Sequence, residues 1–491
     1  MKNWKSLLSA LITLCILLSF ASCKTEESGS STEGTSNAST TTSEDDDFDV
    51  EIPLETNESG TSVSRTSSNT SNTTSGSTNN NNNNGLKIDG ESWDQVLAKM
   101  PQSLKGTTVE IYHWNPANEI TGATKVISDF EKATGITVKW TVEQYGTYLS
   151  KLAARVGAGS SPDLVHTKTG LPAELVSLQP ISASGYDFND AAWDKWTMNA
   201  YTVNGKTYGM SLENTHIQSP DMLFYNKSVI SKYDLPDPYT LWKQGKWNYD
   251  KFLEINRMFM KDAKADGAWS AGSDVGINSY LSWFGVQGAL KFDGSKYSSS
   301  LKDSKFIKST QDALDLLNNE KLMARWDPKS FEQGKLLFFS AYGILARRTN
   351  AYFSSMKSSG TLGVVPNPDI PGQPRYQGFI ELESFGIAKG SKNPQAGPYF
   401  LRYYLDSSNY NVDSFFASAE ALDVYKFCMQ QKNKVMLTGL GLDSVYFGGT
   451  NEFWDKLDDA TGAQVPNLLN QYASLIDEQV KRFNEQLNLL K

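Results

Sequence analysis

The chain has 491 residues and a formal net charge of −9, from 46 basic and 55 acidic side chains. An acidic balance argues against nucleic acid or an anionic membrane surface as a binding partner. Its three cysteines are Cys15, Cys23 and Cys428, which are too few for a disulfide-stapled domain or a cysteine-rich metal site. We therefore expect the folded part of the chain to be stabilised by ordinary apolar cores.

The N-terminus has the pattern of an export signal. Two early lysines precede an apolar run from Leu7 to Phe20, which is too short for a transmembrane helix of about 20 residues. The run ends in the sequence FASC, which resembles the lipobox of bacterial lipoproteins, where the cysteine is lipidated. We expect residues 1–22 to be a signal peptide and Cys23 to carry a lipid anchor. An ordinary signal peptide with an incidental cysteine is the alternative.

A polar tether follows the cysteine. Residues 24–85 are mostly Ser, Thr, Asn and Gly, and they end in an asparagine run from Asn79 to Asn84. Such a segment buries too little apolar surface to offset the entropy cost of ordering, so we expect residues 23–90 to be a lipidated N-terminus and disordered tether. The remaining body of roughly 400 residues is too long for one core and favours two lobes.

Strands and helices alternate in the first part of the body. The segments TVEIYHW (108–114), ITVKWTV (136–142) and PDLVHT (162–167) have strand patterns, and two segments of helical periodicity separate them. This order predicts βαβ units and a parallel sheet. Ligands of such sheets bind at the carboxyl ends of the strands, where this chain places residues 113–115, 143–145 and 166–169.

The rest of the body has a more helical pattern. NYDKFLEINRMFMKDA and SKFIKSTQDALDLLNNEKL are amphipathic, and the turn-rich residues 364–374 are typical of a segment that crosses between lobes. Residues 376–390 have a strand-like pattern. The C-terminal segment from Pro466 predicts a long helix whose inward face includes Tyr472, Leu475 and Phe483.

Taken in order, these segments resemble the extracellular solute-binding proteins of bacterial ABC importers, specifically the carbohydrate-binding family that includes maltose-binding protein. The resemblance covers about residues 105–410 and rests on VEIYHWNP, DFEKATGITVKW, YLSKLAARVGAGSSPDLV, DMLFYNKSVISKYDLPDP, GKWNYDKFLEI and ESFGIAKGSKNPQAGPYFLRYYLD. It implies a two-lobed α/β fold of the periplasmic-binding-protein class, type II. Each lobe would be a central β-sheet flanked by helices, with the ligand cleft between the lobes.

The resemblance also implies lobe bounds and a function. Lobe one would comprise residues 104–214 and 364–418, and lobe two residues 219–363 and 419–491, with hinges at 213–220 and 361–368. The implied function is that of a substrate-binding subunit that captures a sugar or oligosaccharide and delivers it to the ABC permease membrane subunits. The protein would be a monomer held by its lipid anchor on the outer side of the cell membrane, with no cofactor.

The candidate site residues follow from sugar chemistry together with the resemblance. A sugar has flat apolar faces and a rim of hydroxyls, which aromatic rings and planar polar groups bind. For Trp114 ordinary packing is the alternative, and Glu383 is equally consistent with a structural role. The candidate ligand contacts are Trp114, Asn115, Glu143, Lys168, Glu213, Asn214, Tyr280, Trp283, Tyr342, Arg347 and Glu383.

The sequence shows no catalytic constellation or metal motif. The three histidines are isolated, no phosphate-binding loop is present, and GMSLE has Glu213 where a nucleophile elbow requires glycine. Two alternatives stay open. One is a binding lipoprotein for a non-sugar solute. The other is a secreted glycoside hydrolase, which needs two carboxylates about 5–10 Å apart, a pair that Glu143, Glu213 and Glu383 could supply.

Overall fold

The signal segment, the predicted anchor Cys23, almost all of the predicted tether and Lys168 lie outside the described part of the chain. The computed structural model describes residues 86, 88–167, 172–265, 273–286, 288–320, 322–323, 327–379, 382–436, 453, 456–457 and 459–490.

Short strands and helices alternate along the described residues. The strands are β1 (Thr108–His113), β2 (Thr137–Val142), β3 (Leu164–Thr167), β4 (Leu178–Gln179), β5 (Thr202–Val203), β6 (Lys206–Thr207), β7 (Asp221–Asn226), β8 (Ser273–Asp274), β9 (Leu290–Phe292), β10 (Tyr297–Ser299), β11 (Leu322–Met323), β12 (Phe338–Tyr342), β13 (Leu362–Val365), β14 (Gln377–Phe379), β15 (Ser384–Ala388) and β16 (Lys434–Met436). The helices are α1 (Trp93–Ala98), α2 (Ala123–Thr134), α3 (Tyr148–Gly157), α4 (Pro172–Leu175), α5 (Lys195–Ala200), α6 (Lys227–Lys232), α7 (Pro238–Lys243), α8 (Tyr249–Ala265), α9 (Ile277–Trp283), α10 (Ser304–Asn319), α11 (Pro328–Glu332), α12 (Ser354–Ser359), α13 (Ala396–Tyr404), α14 (Ala419–Met429) and α15 (Val465–Asn488).

The first sheet has the strand order β2–β1–β3–β15–β4. β1 pairs in parallel with β2 and β3, whereas β15 runs antiparallel to β3 and β4. Val109 and Ile111 of β1 are fully buried, as is Phe130 of α2. Gly135 caps α2 with a φ of 71°, a left-handed conformation that favours glycine. The βαβ order and the parallel pairing predicted from the sequence are confirmed.

The second sheet has the order β11–β8–β12–β7–β13. β7 runs antiparallel to β12 and β13, and β8 is parallel to β11 and β12. Every residue of β7 is buried, which explains why its sequence DMLFYN lacks the alternation of a half-exposed strand. The predicted amphipathic helices of this region are confirmed as α8 and α10.

Residues 376–390, which have one strand-like pattern, contain two strands that belong to different sheets. β14 pairs in parallel with β16, whereas β15 lies in the first sheet. Phe379 at the end of β14 forms an isolated bridge with Pro220. The predicted hinge at 361–368 overlaps β13, so the chain leaves the second sheet only after Val365. The lobe bounds given by the resemblance stay a prediction.

A buried carboxyl group lies at the start of β7, where the chain enters the second sheet. Asp221 accepts hydrogen bonds from the Ser279 hydroxyl (3.2 Å), the Ser340 hydroxyl (3.4 Å) and Asn367 Nδ2 (3.1 Å). Its carbonyl accepts another from Gln377 Nε2 (2.6 Å). Asn367 and Gln377 both follow β13, the strand after which the chain leaves the second sheet. Asp221 therefore connects the point where the chain enters this sheet to the segment through which it leaves.

The C-terminal helix α15 has 24 residues, as its periodicity predicts. Tyr472 and Phe483 are buried, but Leu475 is 40% exposed, so its placement on the inward face is wrong. It is one residue before the buried Ile476, and the rotation of about 100° per residue takes it off the buried stripe. Within the described residues, no helix is long and apolar enough to span a membrane.

Candidate functional site

A cavity of about 430 Å³ lies between the two sheets, within the size range of small-molecule sites. Both sheets contribute to its wall, because Tyr342 is the last residue of β12 and Glu383 directly precedes β15. Two residues predicted from the sequence thus come together here. The cavity is lined by Ser219, Tyr342, Ile344, Leu345, Asn350, Tyr352 and Glu383.

Glu383 is held through both its backbone and its carboxyl group. Gln218 donates from Nε2 to the Glu383 carbonyl (2.8 Å) and accepts from the Glu383 N–H at Oε1 (3.2 Å). Oε2 of Glu383 lies against Nε2 of His166. Burial raises the pKa of Glu383 to about 7, although the nearby Arg347 guanidinium opposes this shift. Near neutral pH, Glu383 is therefore present both as an acid and as a carboxylate.

Stacked rings at the carboxyl edge of the first sheet place Trp114 beside this pair. The rings of His113 and His166 lie 4.1 Å apart with an interplanar angle of 9°, and the Trp114 ring is 4.3 Å from His166. Burial lowers the pKa of His166 to about 3 and that of His113 well below its ordinary value. Both histidines are therefore neutral at physiological pH. Trp114 packs behind the cavity wall, and its contact with a ligand stays a prediction.

Arg347 and Asn115 both interact with the carboxyl group of Glu119. Arg347 is buried, and its Nη2 donates to the carbonyl of His216 (2.5 Å). Asn115 hydrogen-bonds Glu119, whose side chain reaches solvent. Desolvation by the surrounding protein raises the pKa of Glu119, and Arg347 opposes that shift. Of the predicted residues, Tyr342 and Glu383 therefore line the cavity, Trp114 packs on His166 beside Glu383, and Arg347 acts electrostatically on Glu383.

Glu143 is at the same edge of the first sheet, but its carboxylate is engaged within its own loop. It accepts from the Gln144 N–H (3.0 Å), and Lys151 Nζ donates to it (2.5 Å). The hydrogen bond from Lys151 lowers the pKa of Glu143. Its ligand contact stays a prediction, as does that of Lys168, which lies outside the described residues.

Glu213 and Asn214 lie in the segment that leads to β7, and neither is among the residues that line the cavity. Burial and the neighbouring Asp194 carboxylate raise the pKa of Glu213 to about 7, and Lys434 opposes this shift. Asn214 has a φ of 51°, and its carbonyl accepts from the Ser407 hydroxyl (3.2 Å). These contacts give both residues structural roles in this conformation, and their contact with a ligand stays a prediction.

Tyr280 and Trp283 lie on α9 in the core beside the second sheet. They are 4% and 1% exposed, so neither ring offers an open face to the cavity in this conformation. The Tyr280 hydroxyl lies 2.6 Å from that of Tyr249, and Trp283 packs against Phe252 with ring centroids 5.4 Å apart. The structure places both aromatics in packing, and stacking of either on a ligand stays a prediction.

Five of the cavity residues were missed by sequence reasoning, namely Ser219, Ile344, Leu345, Asn350 and Tyr352. Asn350 and Tyr352 follow the strand-like run that pointed to Tyr342 and Arg347, so the rule that ligands bind beyond strand ends could have been extended to them. Ser219 lies in the predicted hinge at 213–220.

No metal centre is formed by the part of the chain that the structure describes, since it holds no group of three or more His, Cys, Asp or Glu side chains suited to an ion. Cys428 is buried, and burial raises the pKa of its thiol to about 12. It therefore acts as a small apolar side chain.

Solved structures of binding proteins have a similar fold. The galacto-N-biose-/lacto-N-biose I-binding protein of the ABC transporter from Bifidobacterium longum, in complex with lacto-N-biose, is 20% identical with a TM-score of 0.53, covering 77% of this chain and 97% of that chain. A cyclo/maltodextrin-binding protein complexed with maltotetraose is 17% identical with a TM-score of 0.55, covering 78% and 98%. An extracellular solute-binding protein from Staphylococcus aureus in complex with maltose is 15% identical with a TM-score of 0.54, covering 76% and 98%. These likenesses confirm the predicted two-lobed α/β fold.

Comparison with curated proteins gives no match. A family model described as bacterial extracellular solute-binding protein matches residues 125–413. That range spans more than half of the chain and includes every strand of the two five-stranded sheets except β1. The protein therefore belongs to the bacterial extracellular solute-binding proteins.

Proposed function

We propose that this protein is the sugar- or oligosaccharide-binding subunit of an ABC importer, held at the outer side of the cell membrane through Cys23. It captures its ligand in the cavity between the two sheets and delivers it to the permease membrane subunits. The ligand is released intact, and the protein catalyses no reaction.

The chemistry of the cavity carries this proposal. Tyr342 and Tyr352 supply aromatic rings suited to the apolar faces of a sugar, while Glu383, Asn350 and Ser219 supply acceptors and donors for its hydroxyls. Gln218 and His166 hold Glu383 before any ligand arrives, which lowers the entropy cost of binding. The sugars bound by the structurally similar proteins from Bifidobacterium longum and Staphylococcus aureus support the same ligand class.

The glycoside hydrolase alternative gains little from this arrangement. A hydrolase needs two carboxyl groups facing each other across the bound sugar. Glu383 lines the cavity, but Glu143 is engaged with Lys151 and Glu213 is paired with Asp194. The three glutamates that the sequence offered for such a pair therefore each interact with a different group of residues. A non-sugar solute remains the second candidate, because the polar groups of the cavity suit other small hydroxylated molecules.

Titration calorimetry with lacto-N-biose, maltose and maltotetraose tests the proposal. We expect at least one of these sugars to bind with a Kd of about 1 μM, which corresponds to about −8 kcal/mol and still permits release. After prolonged incubation the same sugar should show no new reducing ends. Failure of all three sugars to bind would overturn the sugar assignment, and appearance of shorter sugars would move the protein to the hydrolases.

A further inference from the structure

A single loop supplies more than half of the residues that line the cavity. It comprises residues 343–352, which follow β12 directly and end just before the N-cap of α12, and we call it the cavity loop. Loops move more readily than strands and helices do, so the affinity of the cavity depends on what holds this loop in place. Four of the seven lining residues belong to it, namely Ile344, Leu345, Asn350 and Tyr352.

Two fixed points lie on either side of the polar part of the cavity loop. One is Arg348, whose N–H donates to the Phe415 carbonyl (2.8 Å). The other is Phe353, which follows the loop, is fully buried and packs against Phe331 with ring centroids 5.2 Å apart. Phe353 has a φ of 59°, a left-handed conformation that is costly for a bulky residue and that this packing must hold. The loop's two polar lining residues lie between these points.

Lys357, on α12, directs its side-chain hydrogen bonds at the cavity loop. Its Nζ donates to the carbonyls of Leu345 (3.3 Å), Arg347 (2.9 Å) and Asn350 (2.6 Å). A lysine ammonium has three donors, so this set of acceptors uses all of them. Burial lowers the pKa of Lys357 to about 8, and the Glu332 carboxylate opposes this shift. The ammonium is therefore partly withdrawn from water, stays mostly protonated at neutral pH and binds the backbone of the loop instead.

The shortest of these hydrogen bonds goes to Asn350, which is held at both its main chain and its side chain. The Asn350 carbonyl accepts from Lys357, and Asn350 Oδ1 accepts from the Tyr352 N–H (2.9 Å). With Oδ1 engaged, Nδ2 is the end of this amide that suits a ligand hydroxyl. Three carbonyl oxygens converge on the ammonium, and without it they would face one another with no donor between them. Loss of the ammonium should therefore let the loop move and displace Asn350 and Tyr352 together.

We propose that Lys357 is a positioning residue for ligand binding, whose ammonium holds the cavity loop so that Asn350 and Tyr352 face the ligand. Lys357 does not line the cavity, so it acts on the ligand through the loop. Because the loop is ordered when the protein folds, the ligand does not have to order it on binding, which strengthens the affinity. This inference rests on the proposed function and adds to it a residue outside the cavity wall.

Calorimetry of the full chain tests the role of Lys357, with whichever of lacto-N-biose, maltose and maltotetraose binds the wild type. Lys357→Met keeps an apolar stem without the donors, and we expect it to weaken binding about tenfold, because the ligand must then order the loop itself. Lys357→Arg keeps a charged donor and should bind more weakly than the wild type but more tightly than Lys357→Met. Lys308→Met changes an exposed lysine of α10 that pairs with Asp312, and this matched control should leave the affinity unchanged.

A double-mutant cycle separates positioning from a general structural role. The variant Asn350→Ala/Tyr352→Ala lacks the side chains that Lys357 is proposed to position, so adding Lys357→Met to it should weaken binding by no more than about twofold. A general loss of fold stability would instead weaken binding about tenfold in both backgrounds. If Lys357→Met does not fold, the same cycle with Lys357→Arg decides, again with the loss confined to the wild-type background.

Amide hydrogen exchange without ligand gives an independent measurement, because residues 344–352 should exchange faster in Lys357→Met while the strands of the two sheets stay unchanged. Three results overturn the positioning role and leave a sugar-binding protein: equal affinities of the wild type and Lys357→Met, equal losses in both backgrounds, or unchanged exchange in the loop. Binding by Lys357→Arg that is no tighter than that of Lys357→Met does the same. If the wild type binds none of the three sugars, the proposed function fails and the positioning role fails with it.

Discussion

At the scale of single residues, the cavity depends on how burial sets the charge of Glu383. The carboxyl group is removed from water, which raises its pKa to about 7, and the Arg347 guanidinium only partly offsets this. His166 is just as buried and its pKa is lowered to about 3, so it stays neutral beside Glu383. The acceptor strength of the cavity therefore changes with pH near neutrality, and Glu383 is the lining residue responsible.

We expect sugar binding to strengthen between pH 6 and pH 8. A carboxylate accepts hydrogen bonds from sugar hydroxyls better than a protonated acid does. With a pKa of about 7, Glu383 is mostly protonated at pH 6 and mostly ionised at pH 8. If only the ionised form binds well, the affinity should rise by up to about tenfold over this interval. Calorimetry at several pH values measures the effect.

Two variants identify the group responsible for this pH dependence. Glu383→Gln cannot ionise, so its affinity should be lower and nearly independent of pH. Glu213 also has a pKa of about 7 but does not line the cavity, so Glu213→Gln should keep the wild-type pH dependence. A pH dependence that survives in Glu383→Gln and disappears in Glu213→Gln would contradict this assignment.

At the scale of elements, the sequence predicts best what is determined locally. β1, α2, β2, α3 and β3 are adjacent in the chain, and their alternation and helical periodicity suffice to predict a parallel sheet. Long-range pairing was not predictable in the same way. β14 and β15 are separated by only four residues, but one pairs with β16 and the other returns to the first sheet. No local pattern distinguishes these two destinations.

The candidate site residues were also predictable only where local sequence determines their position. Trp114 comes near the cavity because it follows the carboxyl end of β1, which the strand-end rule predicts. Glu383 reaches the same edge because it precedes β15, which runs antiparallel to β3, and a local sequence pattern does not show that direction. Tyr280 and Trp283 have the residue types of sugar contacts, yet the structure packs them around Phe252 and Tyr249. An aromatic ring serves equally well in a core or on a ligand, and a single sequence does not show which neighbours will cover it.

Asp221 provides a prediction at this scale, because it joins β7 to the chain beyond β13. Burial raises its pKa to about 7 from an ordinary value of 3.8, so between these values the folded protein holds a proton that the unfolded chain has lost. The contribution of Asp221 to stability is therefore present in full below pH 3.8 and decreases as pH rises towards 7. The slope is roughly 1.4 kcal/mol per pH unit at most.

Asp221→Asn removes this titration. We expect the variant to be less stable than the wild type at pH 4, with the difference shrinking as pH rises to 7, in urea unfolding measured at several pH values. Ser340→Ala removes one hydrogen-bond donor but keeps the carboxyl group, so it should retain the wild-type sign of the pH dependence. A difference for Asp221→Asn that stays constant or grows with pH contradicts the account.

At the scale of the whole molecule, we propose that a lipid anchor on Cys23 keeps the cavity at the outer side of the cell membrane. Cys23 ends the apolar N-terminal run, and the polar residues 24–85 separate it from the folded body. The proposed membrane attachment rests on this cysteine and on the apolar run before it.

We therefore expect Cys23→Ala to release the protein from the membrane fraction or to block its processing. Cell fractionation followed by mass determination checks both. Cys428→Ala is the matched control, because it changes a buried cysteine in the folded body and should leave the protein in the membrane fraction. Retention of Cys23→Ala in the membrane at its mature mass would refute the lipid anchor.

The central claim is that the cavity between the two sheets binds a sugar, and one paired titration tests it most directly. Whichever of lacto-N-biose, maltose and maltotetraose binds the wild type is titrated into the wild type and into Tyr342→Ala, which removes an aromatic ring from the cavity wall. We predict a Kd of about 1 μM for the wild type and binding about tenfold weaker for the variant, since the lost ring contact contributes on the order of 1–2 kcal/mol. The melting temperature of the unliganded protein should change little. Equal affinities for the two proteins would contradict the account, because the sugar would then bind somewhere other than this cavity.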